Sequence, residues 1–199
     1  MTHPTRREAL GVLTAAAAAG VLPLRPEELH AAWSHLAGLR QSGQAYRPRF
    51  FQPDEWATLQ VLVDMILPAD ERSGSATEAG VPPFIDFVLA EGTDESARTQ
   101  VRDGLAWLDA QTQRGGGRTF RESSEDVRSA VLDRIAWPAR AAAADAEGVR
   151  FFNRLRDLTA SGFWSSRTGV EDLQYMGNVM IPQWTGCPPE QLRKIGLEP

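Results

Sequence analysis

Pro53-Asp54-Glu55-Trp56-Ala57-Thr58-Leu59-Gln60-Val61-Leu62-Val63-Asp64-Met65-Ile66-Leu67-Pro68 is the stretch whose reading decides the fold class. A proline is tolerated in the first turn of a helix, where its missing N–H would have had no partner, and Asp54 and Glu55 then sit at the positive end of the helix dipole. Trp56, Leu59, Val63 and Ile66 recur at spacings of three and four, which makes one apolar face of a helix. Pro68 closes the segment because the helix interior cannot accommodate its ring.

The same period continues towards the C-terminus. After a polar loop over residues 69–80, a second helix is expected from Pro82-Pro83, carrying Phe84, Phe87 and Val88. A third is expected over about residues 94–112, with Ala97, Val101, Leu105 and Leu108 on one stripe. The run Gly115-Gly116-Gly117 breaks it; with no strand before it and no lysine beside it, it reads as an inter-helix loop and not as a phosphate cradle. Ser123 and Asp126 have the spacing of a capping box, opening a helix with Val127, Val131 and Ile135 that Pro138 ends. A further helix over about residues 141–160 directs Val149, Phe152, Leu155 and Leu158 or Thr159 inward. No segment alternates β-branched and polar residues with a period of two, so no sheet is expected. The expectation is an all-α protein, a single helical domain of about five to seven helices over residues 50–199 with an irregular aromatic C-terminal segment after Gly162.

Towards the N-terminus the character changes. Thr5-Arg6-Arg7-Glu8-Ala9-Leu10 precedes a stretch, residues 9–24, that carries no charge. A short basic region followed by an apolar run is the layout of a secretory signal, and the paired Arg6 and Arg7 look like those of a twin-arginine signal, which directs folded cargo out of the cytoplasm. The run is alanine-rich and interrupted by Gly20 and Pro23, too weak for a membrane span, which needs about 20 apolar residues. Residues 1–30 are therefore read as an export segment, with the neighbourhood of Ala31-Ala32 the best of several weak cleavage sites or the signal left uncut. Residues 31–49 are read as a linker or loosely docked arm. The expected location is the periplasm, with membrane association only through a complex or an uncleaved signal.

Composition excludes several functions. The net charge of −5 argues against nucleic-acid binding, which needs a basic surface, and removing the first thirty residues leaves the balance unchanged. Cys187 is the single cysteine, so no internal disulfide and no cysteine-based metal cluster can form; its expected state is a small buried side chain. All three histidines, His3, His30 and His35, precede the expected helical domain, which takes His-based proton transfer, nucleophile activation and metal ligation out of that domain. No catalytic, cofactor-binding or metal-binding residue is assigned. Aromatic side chains are the remaining asset: of the six tryptophans, Trp164 and Trp184 fall in the segment after Gly162 with Phe163 and Tyr175. Such rings are enriched where proteins meet partners, and these four are the candidate partner interface, or else a lid over the core.

The order of several segments adds a family resemblance. Phe51-Gln-Pro-Asp-Glu-Trp-Ala-Thr-Leu59, Leu62-Val-Asp-Met-Ile-Leu-Pro-Ala-Asp70, Ala76-Thr-Glu-Ala-Gly-Val81 and Phe84-Ile-Asp86 resemble the small subunit of gluconate 2-dehydrogenase, the subunit 3 family. Phe151-Phe-Asn-Arg-Leu-Arg-Asp-Leu-Thr159, Gly162-Phe-Trp-Ser-Ser166, Tyr175-Met-Gly-Asn178 and Trp184-Thr-Gly-Cys-Pro188 are similar to that family's end. The resemblance implies a non-catalytic subunit partnering a large FAD-dependent dehydrogenase subunit of the glucose–methanol–choline type. It also implies that FAD is held by the partner and not by this chain, that electrons leave through a separate cytochrome c subunit, and that this chain's signal carries the large subunit across the membrane.

Two other readings compete. A stand-alone exported enzyme would rely on carboxylates such as Asp64, Asp70 or Asp86. A periplasmic carbohydrate-binding module would use Trp164 and Trp184 as sugar platforms.

Overall fold

The computed structural model describes residues 24–114, 118–174, 186–187, 189–194 and 196. Its elements follow from local signals. Helix α1 (Pro26–Gln41) starts at a proline, and the Glu28 carboxylate accepts the Arg25 backbone N–H at 2.7 Å. Helix α2 (Pro53–Ile66) repeats the device, Glu55 accepting the Gln52 N–H at 2.8 Å. Capping of this kind satisfies donors that have no partner inside the helix. Gly80 takes a left-handed φ of +84° that starts α3 (Val81–Glu91). Then follow α4 (Glu95–Arg114), α5 (Glu125–Ala136), a 3-10 turn (Ala143–Asp145), α6 (Ala146–Ser165), and two six-residue helices, α7 (Arg167–Asp172) and α8 (Pro189–Lys194). Among the described residues there is no strand, and the six longer helices agree with the expected all-α domain.

Helix α6 is the axis. It packs against α1, α2, α3, α4, α5 and α7. Phe151, Phe152, Leu155, Leu158, Thr159 and Phe163 along it are all buried. Two glycines let neighbours come close: Gly162 lies under the Phe84 ring of α3, and Gly148 under Trp107 of α4 and Ile135 of α5. An added Cβ would meet Phe84 at 2.7 Å and Trp107 at 2.6 Å, inside any normal carbon contact.

Several expectations need correction. Gly162 does not end its helix: α6 runs on through Phe163 and Trp164 to Ser165, so this aromatic pair is helical and not irregular. The cap of α5 is Ser124, whose side chain accepts the Val127 N–H, and Ser123 instead donates to the Thr119 carbonyl. Val127 faces solvent while Val131 and Ile135 are buried. On α3 the deeply buried apolar residues are Val81, Pro82, Phe84, Ile85 and Leu89, with Phe87 and Val88 at the margin. The α4 stripe of Ala97, Val101, Leu105 and Leu108 is buried as its spacing predicts. Cys187 is exposed, where a buried thiol was expected.

Residues 26–41, which the sequence reading divides between an export segment and a linker or docked arm, form α1, which lies on α3 and α6. Ala32 and Leu36 are in the core. The Trp33 ring stacks on Phe84 with centroids 5.3 Å apart, and its indole N–H donates to the Ser165 hydroxyl at 2.8 Å. A partly buried aromatic that stacks on the core and has its polar handle satisfied holds a helix in place, so α1 is packed onto the body. His30 and His35 come with it, the His35 ring lying 4.8 Å from that of Phe87.

Candidate partner interface

The carboxylates proposed for catalysis are engaged in holding the chain together. Asp86 has no exposed surface. Its Oδ2 accepts the Tyr46 hydroxyl at 2.7 Å and the Arg49 N–H at 2.8 Å; its Oδ1 accepts the N–H groups of Phe50 and Phe51, each at 3.0 Å. Four donors on one carboxylate tie residues 46–51, the connection from α1 to α2, onto α3. Asp64 accepts the Thr77 N–H at 2.7 Å and braces the loop before α3. Asp70 accepts the N–H groups of Arg72 and Ser73, and these backbone bonds hold its carboxyl below the usual range. The three carboxylates have separate partners and do not form a site.

Tyr46 reports on the Asp86 anchor. Burial first, then the carboxylate that accepts its proton, push its phenol well above the ordinary value of 10.0. Tyr46→Phe is expected to cost about 1 kcal/mol at neutral pH. Because the folded phenol keeps its proton where the unfolded one loses it, the stabilising difference is whole below pH 10.0 and shrinks as pH rises beyond it. Chemical unfolding of both proteins at neutral pH and at about pH 11 measures this; a constant gap between them would contradict it.

Charge is concentrated in one cleft of about 370 Å³, lined by Arg49, Phe50, Ala90, Glu95, Arg98, Thr99 and Arg102. Its arginines are partnered. Arg98 donates to the Leu89 and Ala90 carbonyls at the end of α3, both at 2.6 Å, and pairs with Glu95. Arg49 pairs with Glu91 at 2.6 Å, and Arg102 donates to the Phe50 carbonyl while lying 4.5 Å from the centre of that ring. Among the described residues no group of three or more His, Cys, Asp or Glu side chains is placed to hold a metal ion.

Exposed apolar surface gathers at the C-terminal end of α6. Trp164 is 38% exposed, Val170 36% and Leu173 55%. Their setting is rigid. The Ser166 hydroxyl donates to the Phe163 carbonyl at 2.7 Å and accepts the Gly169 N–H at 3.0 Å, folding α7 tightly onto α6. Any side chain at Gly169 would overlap the Phe163 backbone. Arg72, from the loop between α2 and α3, donates to the Asp172 carbonyl and lies 3.1 Å from its carboxylate.

Of the four aromatic residues expected at an interface, Trp164 stands at this surface. Phe163 does not: it is 3% exposed, a core residue whose ring meets Trp164 edge-on at 4.9 Å. Tyr175 and Trp184 lie outside the described residues, as do Arg6 and Arg7. Val170 of α7 and Leu173, the residue that ends it, are exposed as well and were not among the four. A second exposed ring, Trp137 at 60%, caps the end of α5 with Arg140 beside it at 5.8 Å. It lies near the start of α6, about 30 Å of helix away from Trp164.

The family model described as Gluconate 2-dehydrogenase subunit 3 matches residues 53–183, from the first residue of α2 to beyond α7. No curated protein and no solved structure matches the chain.

Proposed function

The chain belongs to the gluconate 2-dehydrogenase subunit 3 family, and from that premise we propose that it is the non-catalytic small subunit of an exported FAD-dependent sugar or alcohol dehydrogenase. The family name describes a subunit of a multi-subunit oxidoreductase. FAD and the catalytic base belong to the large subunit, of the glucose–methanol–choline type, and electrons pass on to a cytochrome c subunit. This chain supports folding of the large subunit and supplies, through Arg6 and Arg7, the twin-arginine signal that takes both to the periplasm. The family match over residues 53–183 carries the reading. It is supported by the way Asp64, Asp70 and Asp86 each brace a separate stretch of backbone and do not converge on one cleft.

The surface around Trp164, Val170 and Leu173 is the contact for the large subunit. Exposed apolar side chains on hydrogen-bonded helical turns, one of them a tryptophan, suit the centre of an interface, where ordering costs least on binding. Among the described residues no helix is long and apolar enough to cross a membrane, so attachment to the membrane, where it occurs, comes through the complex or the N-terminal segment.

The test uses the full chain expressed with a candidate large subunit, a flavoprotein of the glucose–methanol–choline type. The small subunit should copurify with that flavoprotein, and Arg6→Lys with Arg7→Lys should leave the flavoprotein in the cytoplasm. Trp164→Ser with Leu173→Ser should weaken the complex at least about tenfold, while Leu173→Ser alone, at a position 55% exposed, should weaken it with little change in the melting temperature of the small subunit. Normal export of the flavoprotein in the arginine variant would remove the targeting role. Turnover of a sugar or alcohol by the small subunit alone would remove the rest.

A further inference from the structure

A signal peptidase cuts an extended strand of backbone with small side chains one and three residues before the cut. Between Leu24 and Arg49 only two pairs of small residues have that spacing, Ala32-Trp33-Ser34 and Gly43-Gln44-Ala45. The first lies in the middle of α1, with Ala32 fully buried and Trp33 clamped between Phe84 and the Ser165 hydroxyl. The second begins in the turn that closes α1. The Gly43 N–H donates to the Arg40 carbonyl and the Gln44 N–H to the Leu39 carbonyl, and Gly43 has a left-handed φ of +67°. This is a hydrogen-bonded helix stop, not an extended strand. A cut at either place would also take side chains from the core: Leu24, just before α1, and Leu29 and Ala32 within it lie upstream of both, and Leu36 upstream of the second.

We infer that α1 is part of the exported chain, and that the mature N-terminus lies at or upstream of Leu24. This rests on the export role proposed above, because twin-arginine cargo is folded before it meets the peptidase and α1 is then already docked on α3 and α6. Trp33 and Ala32 are thereby structural residues of the mature subunit. The neighbourhood of Ala31-Ala32, the best cleavage site by sequence, is closed by the fold.

The experiment is intact-mass measurement and N-terminal sequencing of the small subunit recovered from the periplasmic or membrane fraction as the complex. Ser34→Leu and Ala45→Leu, both at exposed positions, run in parallel to remove the small residue each cut would need. The expected result is a chain starting at or before Leu24 in the unaltered protein and in both variants, with masses differing only by the substitutions. An exported chain starting at His35 or Tyr46, with the cut blocked by the matching leucine, overturns the inference while leaving the export role intact. A chain found only in the cytoplasm overturns the export role and this inference with it.

Discussion

Asp86→Ala is expected to lower the stability of the chain by about 4 kcal/mol, because it leaves buried donors without an acceptor at about 1–3 kcal/mol each, partly relieved by relaxation. For a chain of this size that corresponds to a fall of about 8–16 °C in melting temperature, readable by circular dichroism. The carboxylate is wholly buried and accepts four hydrogen bonds, from the Tyr46 hydroxyl and the N–H groups of Arg49, Phe50 and Phe51, with no water-facing edge to take up the loss. Asp86→Asn keeps the shape but turns an NH₂ group towards two of the donors, so it should recover only part of the loss. The result separates two roles for the same residue. A catalytic carboxylate can be neutralised with the fold kept; this one holds the crossing from α1 to α2 against α3, and its loss should loosen that corner. A cost under about 1 kcal/mol, the range of an ordinary surface change, would show that the four bonds do not carry the corner.

What the sequence made legible, and what it did not, divides along the range of the interactions. Helices α2 and α4 were readable because their apolar stripes lie within one segment and their ends are marked by proline or glycine. Helix α1 was not, because only Ala32 and Leu36 on it are fully inside, with Leu29, Trp33 and Leu39 partly buried at the margin. What holds it is a contact with Phe84 and Ser165, far away in sequence. Gly162 was misread for a related reason. A glycine at the end of an apolar helical run commonly marks a stop, yet here it clears space for a ring on another helix. Asp86 gave a usable hint as a lone charge in the apolar run Phe84-Ile85-Asp86-Phe87, but its donors lie 35 to 40 residues upstream. On the candidate interface, Phe163 and Trp164 were taken together. Consecutive helical residues point about 100° apart, so one being buried and its neighbour exposed is what a helix dictates once the segment is known to be helical.

Gly104→Ala is the second large effect expected, and its direction opposes local helix propensity. Position 104 lies within α4, where alanine in place of glycine would ordinarily stabilise by about 1 kcal/mol. Gly104, however, faces Phe151 of α6, and an added Cβ would overlap that ring. Phe151 is fully buried, so its ring has no free rotamer to retreat to. The alternative is for α4 and α6, the most extensively packed pair of helices in the body, to move apart. Overpacking of this kind costs about 1–3 kcal/mol or more, which outweighs the propensity gain, so a net loss of about 2 kcal/mol is expected. Gly38→Ala is the matching control. It is also helical, in α1, but a Cβ there meets nothing within 4 Å, so it should stabilise by about 0.5–1 kcal/mol. Denaturant unfolding of both variants decides the point through their opposite signs. A stabilised Gly104→Ala would mean that α4 and α6 are not in the close contact on which the central position of α6 rests. A destabilised Gly38→Ala would mean that α1 is not a helix docked with that face to solvent, and would weaken the case that it belongs to the mature subunit.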